Sequence, residues 1–116
     1  MSKPTKVKQT DPTSKEDTEK PWYLYLIENK LGQIYTGITT DPIRRIAQHR
    51  GKLKGGAKSL KGKSPLEFRA IFEVNGKSDA AKLEYAVKRM SRPQKDRIIS
   101  KGQLDVMKCV KAQFVE

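Results

Sequence analysis

The sequence predicts a small α+β domain, a three-stranded antiparallel sheet flanked by helices. Three observations predict it. Two short aromatic and aliphatic runs, "WYLYLIEN" and "QIYTGI", are separated by the turn-forming "NKLG", as in an antiparallel hairpin. A third run, "LEFRAIFEV", alternates apolar and charged residues at the period of a strand. Helix-start signals at Asp41-Pro42, Ser78-Asp79 and Pro93 stand between and after these runs.

Residues 1–20 are rich in Lys, Asp, Glu, Ser, Thr and Pro, with Met1 and Val7 as their only aliphatic side chains. They cannot bury enough surface to offset their ordering entropy and are expected to form a flexible polar tail. The folded domain is expected over 21–102. In its first strand Tyr23, Tyr25 and Ile27 share a face, and Gly32 lies near the turn that leads to the second. Asp41 caps the following helix and Pro42 occupies its first turn, where a missing donor costs nothing. Ile43, Ile46 and Ala47 are expected to face inward, with Arg45 and His49, spaced i and i+4, projecting together beside them.

"GKLKGGAKSLKGKSP" is a loop of fifteen residues, a length usually associated with function or mobility. In the third strand Leu66, Phe68, Ala70 and Phe72 are expected to face inward against Glu67, Arg69 and Glu73, with Ile71 as an exception. Ser78 and Asp79 open a second helix with Ala80, Leu83, Val87 and Met90 as its core stripe and Glu84 at the rim. Pro93 starts a third helix that Gly102 ends. Residues 103–116, with "LDVMKCVKAQFV", are expected to form a last short helix or strand, or a short extension.

Charge narrows the partners. Twenty-five Lys and Arg against thirteen Asp and Glu give a formal net charge of +12. Between Arg44 and Arg69 nine basic residues face one acid, Glu67, so most of the excess is concentrated there. Such clustering fits a phosphate backbone better than an evenly solvated surface. The single cysteine, Cys109, excludes an internal disulfide, and no Cys or His cluster offers a zinc site. No signal-peptide pattern and no membrane-length apolar run is present, so the reducing cytoplasm is the expected compartment, with no membrane partner. Gly56 to Ser64, "GAKSLKGKS", resembles a P-loop but has one residue too many between its glycines and runs into Pro65 where a helix should open.

Several side chains have both a plain and a chemical reading. Tyr25 and Tyr35, ten positions apart across the hairpin, are either core rings with wet hydroxyls or a facing pair in a site. Arg45 is either a surface arginine or a fork for a phosphate oxygen. His49 either is a satisfied rim histidine or contacts a phosphate or a tyrosine. Glu84 either pairs with Lys88 at i+4 or holds a metal ion.

The ordered set resembles a known family. Tyr23-Leu24-Tyr25, then Tyr35-Thr36-Gly37, then Arg45 eight positions after that glycine, His49 four further on and the helical Glu84 resemble the GIY-YIG nuclease domain over about residues 21 to 100. "YTGITTDPIRRIAQH" and "AAKLEYAVKRMSRPQK" are most similar to its small stand-alone bacterial branch, related to Slx-type structure-specific endonucleases. Tyr23 and Leu24 stand for the glycine and isoleucine of the first signature, and Thr36 for the isoleucine of the second. The loop has Ser59 and Leu60 where similar proteins tend to have Tyr and Thr.

The resemblance implies a metal-dependent endonuclease that hydrolyses DNA phosphodiester bonds, structure-specific and linked to DNA repair. It implies Tyr25, Tyr35, Arg45, His49 and Glu84 as catalytic residues: Tyr25 takes a proton from water, Tyr35 assists it, and Arg45 stabilises the transition state. Glu84 is implied as the ligand of Mg2+ or Mn2+, and Lys88 either meets the scissile phosphate or keeps Glu84 ionised. A free phenol titrates near 10, so Tyr25 can act as a base only where neighbouring positive charge lowers that value. Arg44, Arg50, Lys52, Lys54, Lys58, Lys61, Lys63 and Lys88 are expected to bind nucleic acid, DNA before RNA. The rival reading is a nucleic-acid-binding protein that keeps the fold and cleaves weakly or not at all. A protein partner is not readable from the sequence.

Overall fold

A computed structural model describes residues 21–115; the expected tail, 1–20, lies outside the described residues. Three strands, β1 (Pro21–Glu28), β2 (Ile34–Thr39) and β3 (Glu67–Asn75), form an antiparallel sheet in the order β2-β1-β3. Helix α1 (Pro42–His49) follows β2, and α2 (Lys77–Lys88) and α3 (Arg92–Lys101) follow β3. The α+β architecture is the one expected.

The sheet is covered on both faces. Leu24, Leu26, Ala70, Phe72 and Val74 pack on one face with Ala80 and Val87 of α2 and Ile98 of α3. Tyr25, Ile27, Phe68 and Ile71 pack on the other with Ile46 of α1, Leu60 and Leu66. Full burial of such aliphatic and aromatic side chains contributes about 1.5–3 kcal/mol each, so each layer pins its helices firmly.

This arrangement corrects the half-buried reading of β3. The β1–β3 register shifts between Leu26, opposite Ala70, and Ile27, opposite Phe68, leaving Arg69 as an extra residue on β3. The bulge switches the alternation, so Phe68 faces the Tyr25 layer with Ile71 while Ala70 and Phe72 face α2 and α3. Ile71 is an exception to a strict period because the strand itself breaks the period.

Two helix details differ from expectation, and the third helix keeps its expected Pro93 start and Gly102 end. In α1 the inward residues are Pro42, Ile46 and His49, while Ile43 is 52% exposed, since the narrow contact with the sheet follows the i, i+4, i+7 line. Gly76, at φ 87°, precedes α2, and neither Ser78 nor Asp79 caps it with a side chain. At α3 the cap is Ser91, reciprocally bonded to Gln94, with Gly102 in the left-handed conformation at the other end.

The residues after Gly102 form a two-stranded hairpin, β4 (Gln103–Leu104) with β5 (Met107–Lys108), and a single 3-10 turn at Lys111–Gln113. Cys109 bridges to Phe72, and the Val110 amide donates to the Ile71 carbonyl at 2.7 Å, so this segment runs along the outer edge of β3. Phe114 then meets the Tyr23 ring edge-on at a 5.0 Å centroid distance.

Candidate active site

Hairpin register places the two tyrosines. Tyr25 lies opposite Gly37, and Tyr35 opposite Ile27, so the rings are diagonal neighbours on one face, 6.3 Å between centroids. Gly37 makes room for this: a Cβ there would overlap the Tyr25 hydroxyl and lie 3.1 Å from its Cε1. Phe68 closes the Tyr25 ring from the side, edge-on at 6.0 Å.

Helix α1 delivers the next two groups. Its start is fixed by Asp41, whose carboxylate accepts the Arg44 amide at 3.2 Å, and by Pro42 in the first turn. From that start the last turn brings His49 inward, 3% exposed, against both tyrosines. His49 Nε2 and the Tyr25 hydroxyl share a hydrogen bond of 2.8 Å, and the Ala57 amide donates to His49 Nδ1 at 3.1 Å. Arg45 stands one turn earlier and donates to Gln48 Oε1 at 2.7 Å and to the Gly55 carbonyl at 2.8 Å.

Electrostatics in this cluster run against a ready base. Burial pushes the Tyr25 phenol up to about 12; the nearby Arg45 guanidinium opposes the rise, while Tyr35 and Glu84 add to it. The two short bonds of Arg45 go to Gln48 and Gly55, so its pull on Tyr25 is one of proximity and not of a formed contact. Burial, assisted by Arg45, holds His49 down to about 4, so the imidazole is neutral at physiological pH. The condition set for Tyr25 as a base, a phenol lowered by neighbouring positive charge, is not met here, because desolvation outweighs one guanidinium.

Glu84 comes from α2, which packs on the opposite face of the sheet and alongside β2. It lies within electrostatic reach of Tyr25; its side chain is 24% exposed, and its carboxylate sits 3.4 Å from Lys88 Nζ. Among the described residues no group of three His, Cys, Asp or Glu forms a metal cage. Both His49 nitrogens are already engaged, which leaves Glu84 as the one carboxylate donor of the set. A single accessible oxygen ligand fits a hard, largely hydrated divalent ion such as magnesium.

The basic segment is anchored more closely than its length implies. Leu60 is buried, the Lys30 amide donates to the Lys63 carbonyl at 2.9 Å, and a Cβ on Gly56 would run into the Gln48 carbonyl. Arg44, Lys52, Lys54, Lys58 and Lys61 remain exposed, and Lys63 is half-buried. Arg50 donates to the Leu66 carbonyl at 2.7 Å, and exposed Lys88 pairs with Glu84. Sequence reasoning missed Gly56, Ala57 and Gln48; the Gly55-Gly56 pair was the available sign of a close backbone approach.

The family model of the GIY-YIG catalytic domain matches residues 21–97. The chain belongs to the GIY-YIG family. Membership implies nuclease, hence hydrolase, activity on nucleic acid. This GIY-YIG chain is 49% identical over 82 residues to a UPF0213 protein of Photorhabdus laumondii, covering 70% of this chain and 76% of that one. It is 45% identical over 84 residues to a UPF0213 protein of Citrobacter koseri, covering 72% and 81%. The solution NMR structure of a UPF0213 protein from Bacillus halodurans is 40% identical, with 69% of this chain and 83% of that chain covered and a TM-score of 0.45.

Proposed function

We propose that this GIY-YIG chain is a divalent-metal-dependent endonuclease that hydrolyses DNA phosphodiester bonds, acting on branched or distorted DNA during repair. The observation that carries the reading is the Tyr25–Tyr35–His49 ring cluster over Gly37, with Arg45 beside it and Glu84 within electrostatic reach.

In-line cleavage needs an activated water, neutralised phosphoryl oxygens and a stabilised leaving oxygen. Tyr25 is assigned the water's proton, since it is the phenol held by a second polar ring, and Tyr35 orients the attacking water. Arg45 turns from Gln48 and Gly55 to fork onto a phosphoryl oxygen. Glu84 would hold magnesium or manganese, which supplies positive charge to the phosphoryl group and to the leaving oxygen. Lys88 then parts from Glu84 and is free to meet the phosphate. Lys52, Lys54, Lys58 and Lys61 follow the DNA backbone, with RNA the less favoured substrate.

A second reading, a nucleic-acid-binding protein without cleavage, is favoured by the phenol held at about 12 and by the Glu84–Lys88 pair. Single-stranded, duplex and branched DNA incubated with the protein, with and without magnesium, separates the two. Nicking that stops in chelator and in Glu84→Ala while binding survives supports the nuclease; salt-sensitive binding with no cleavage on any substrate refutes it.

A further inference from the structure

His49 has one assignment that satisfies both of its neighbours. A backbone amide only donates, so the 3.1 Å bond from Ala57 requires a bare Nδ1 on His49. A neutral imidazole then carries its proton on Nε2, the atom 2.8 Å from the Tyr25 oxygen. The hydrogen bond therefore runs from His49 to Tyr25. His49 cannot accept the phenol proton, and the Tyr25 hydroxyl hydrogen is turned away from it.

The donor that fixes this tautomer is not in the sheet or in α1 but in the basic loop. Gly56 lets the loop lie against the end of α1: a Cβ there would overlap the Gln48 carbonyl and come within 2.9 Å of His49 Cα, both backbone atoms. Lys54 and Lys58 flank this dock in sequence, so the stretch that meets the phosphate backbone is the stretch that sets His49. A protonated Nδ1 would break the Ala57 bond, which agrees with the depressed His49 pKa.

Resting on the nuclease reading, we propose that the Gly56–Ala57 segment is a positioning element: it holds His49 as the Nε2–H tautomer, so that His49 donates to Tyr25 and stabilises its phenolate. When Tyr25 ionises, its O–H bond breaks and the proton passes to a solvent base, leaving the phenolate oxygen on the Nε2–H and open to the attacking water. Phosphate-backbone binding at the loop and the protonation pattern at the base are thereby linked through one amide.

The chain has a single histidine, so its ring nitrogens can be read without assignment ambiguity. Long-range proton–nitrogen NMR on the 15N-labelled, DNA-free protein near neutral pH should show a bare Nδ1 and a protonated Nε2. A protonated Nδ1, or a tautomer mixture, overturns the proposal whether or not the protein cleaves DNA, so its failure is separate from failure of the nuclease reading. Gly56→Ala should turn the single tautomer into a mixture, lower kcat about tenfold or more, and leave KM within about threefold. A fall in kcat with the tautomer unchanged assigns the segment a merely structural role and refutes it. Replacing the Ala57 amide with an ester by semisynthesis removes the N–H with little change of shape, and should give the same mixture even if Gly56→Ala does not fold.

Discussion

Gly37→Ala tests the geometry of the proposed site at its tightest point. The added Cβ would sit 3.1 Å from Tyr25 Cε1 and closer still to Cζ and the hydroxyl, against an ordinary contact of 3.4–4 Å. The ring is pinned by Phe68 and His49, so relief requires moving the phenol by about 1 Å, which typically costs on the order of 100-fold in rate. Overpacking of this kind destabilises by about 1–3 kcal/mol, and each kcal/mol lowers Tm by roughly 4–8 °C in a domain this size. Nicking of a branched DNA by purified variant and parent, alongside thermal unfolding by circular dichroism, measures both. A variant that folds and cleaves within about threefold of the parent would refute the claim that Gly37 exists to seat Tyr25.

Other expectations follow from the same site. His49 is held down to about 4 against an ordinary 6.5, so the unfolded chain binds the extra proton first as pH falls. Stability should therefore be complete above about pH 6.5 and decline by roughly 2–3 kcal/mol towards pH 4, and His49→Gln should remove that decline in urea titrations. Cleavage should rise about tenfold per pH unit from pH 7 to 9, because the Tyr25 phenolate is scarce below about 12; a flat profile contradicts a phenolate base. Chelator should abolish cleavage and leave Tm unchanged, since among the described residues no cage of metal ligands supports the fold. Replacing Lys52, Lys54, Lys58 and Lys61 with Ala should flatten the salt dependence of duplex binding, by about 0.9 in log–log slope for every phosphate that one of these lysines neutralises.

What could be read from the sequence was local. The NKLG turn, the Asp41-Pro42 start and the Gly102 stop each act within a few residues, so the hairpin and the helices are visible without knowing what they pack against. The order of Tyr25, Tyr35, Gly37, Arg45 and Glu84 was visible for a different reason: it resembles the signature of the GIY-YIG family, to which the chain belongs. What was hidden depends on distant partners. Arg69 becomes a bulge only because β1 pairs with β3 at that register, and Ile43 is exposed because the sheet meets α1 along Pro42, Ile46 and His49. The environment of His49 was likewise out of reach, since its second partner is a main-chain amide eight residues on, and a main-chain donor leaves no mark in the order of side chains. The segment after Gly102 is rich in apolar residues, but its pattern fits a helix as well as a strand over so short a length, and the hairpin of two-residue strands follows from its packing on β3.

That last segment changes how the sheet meets the outside. The bridge at Cys109 and the Val110–Ile71 bond occupy the flank of β3 that would otherwise present unpaired amides and carbonyls. An open flank of that kind is a template for pairing with another chain. Residues 109–110 thus act as a selvedge, finishing part of the woven edge of β3 from within the same chain.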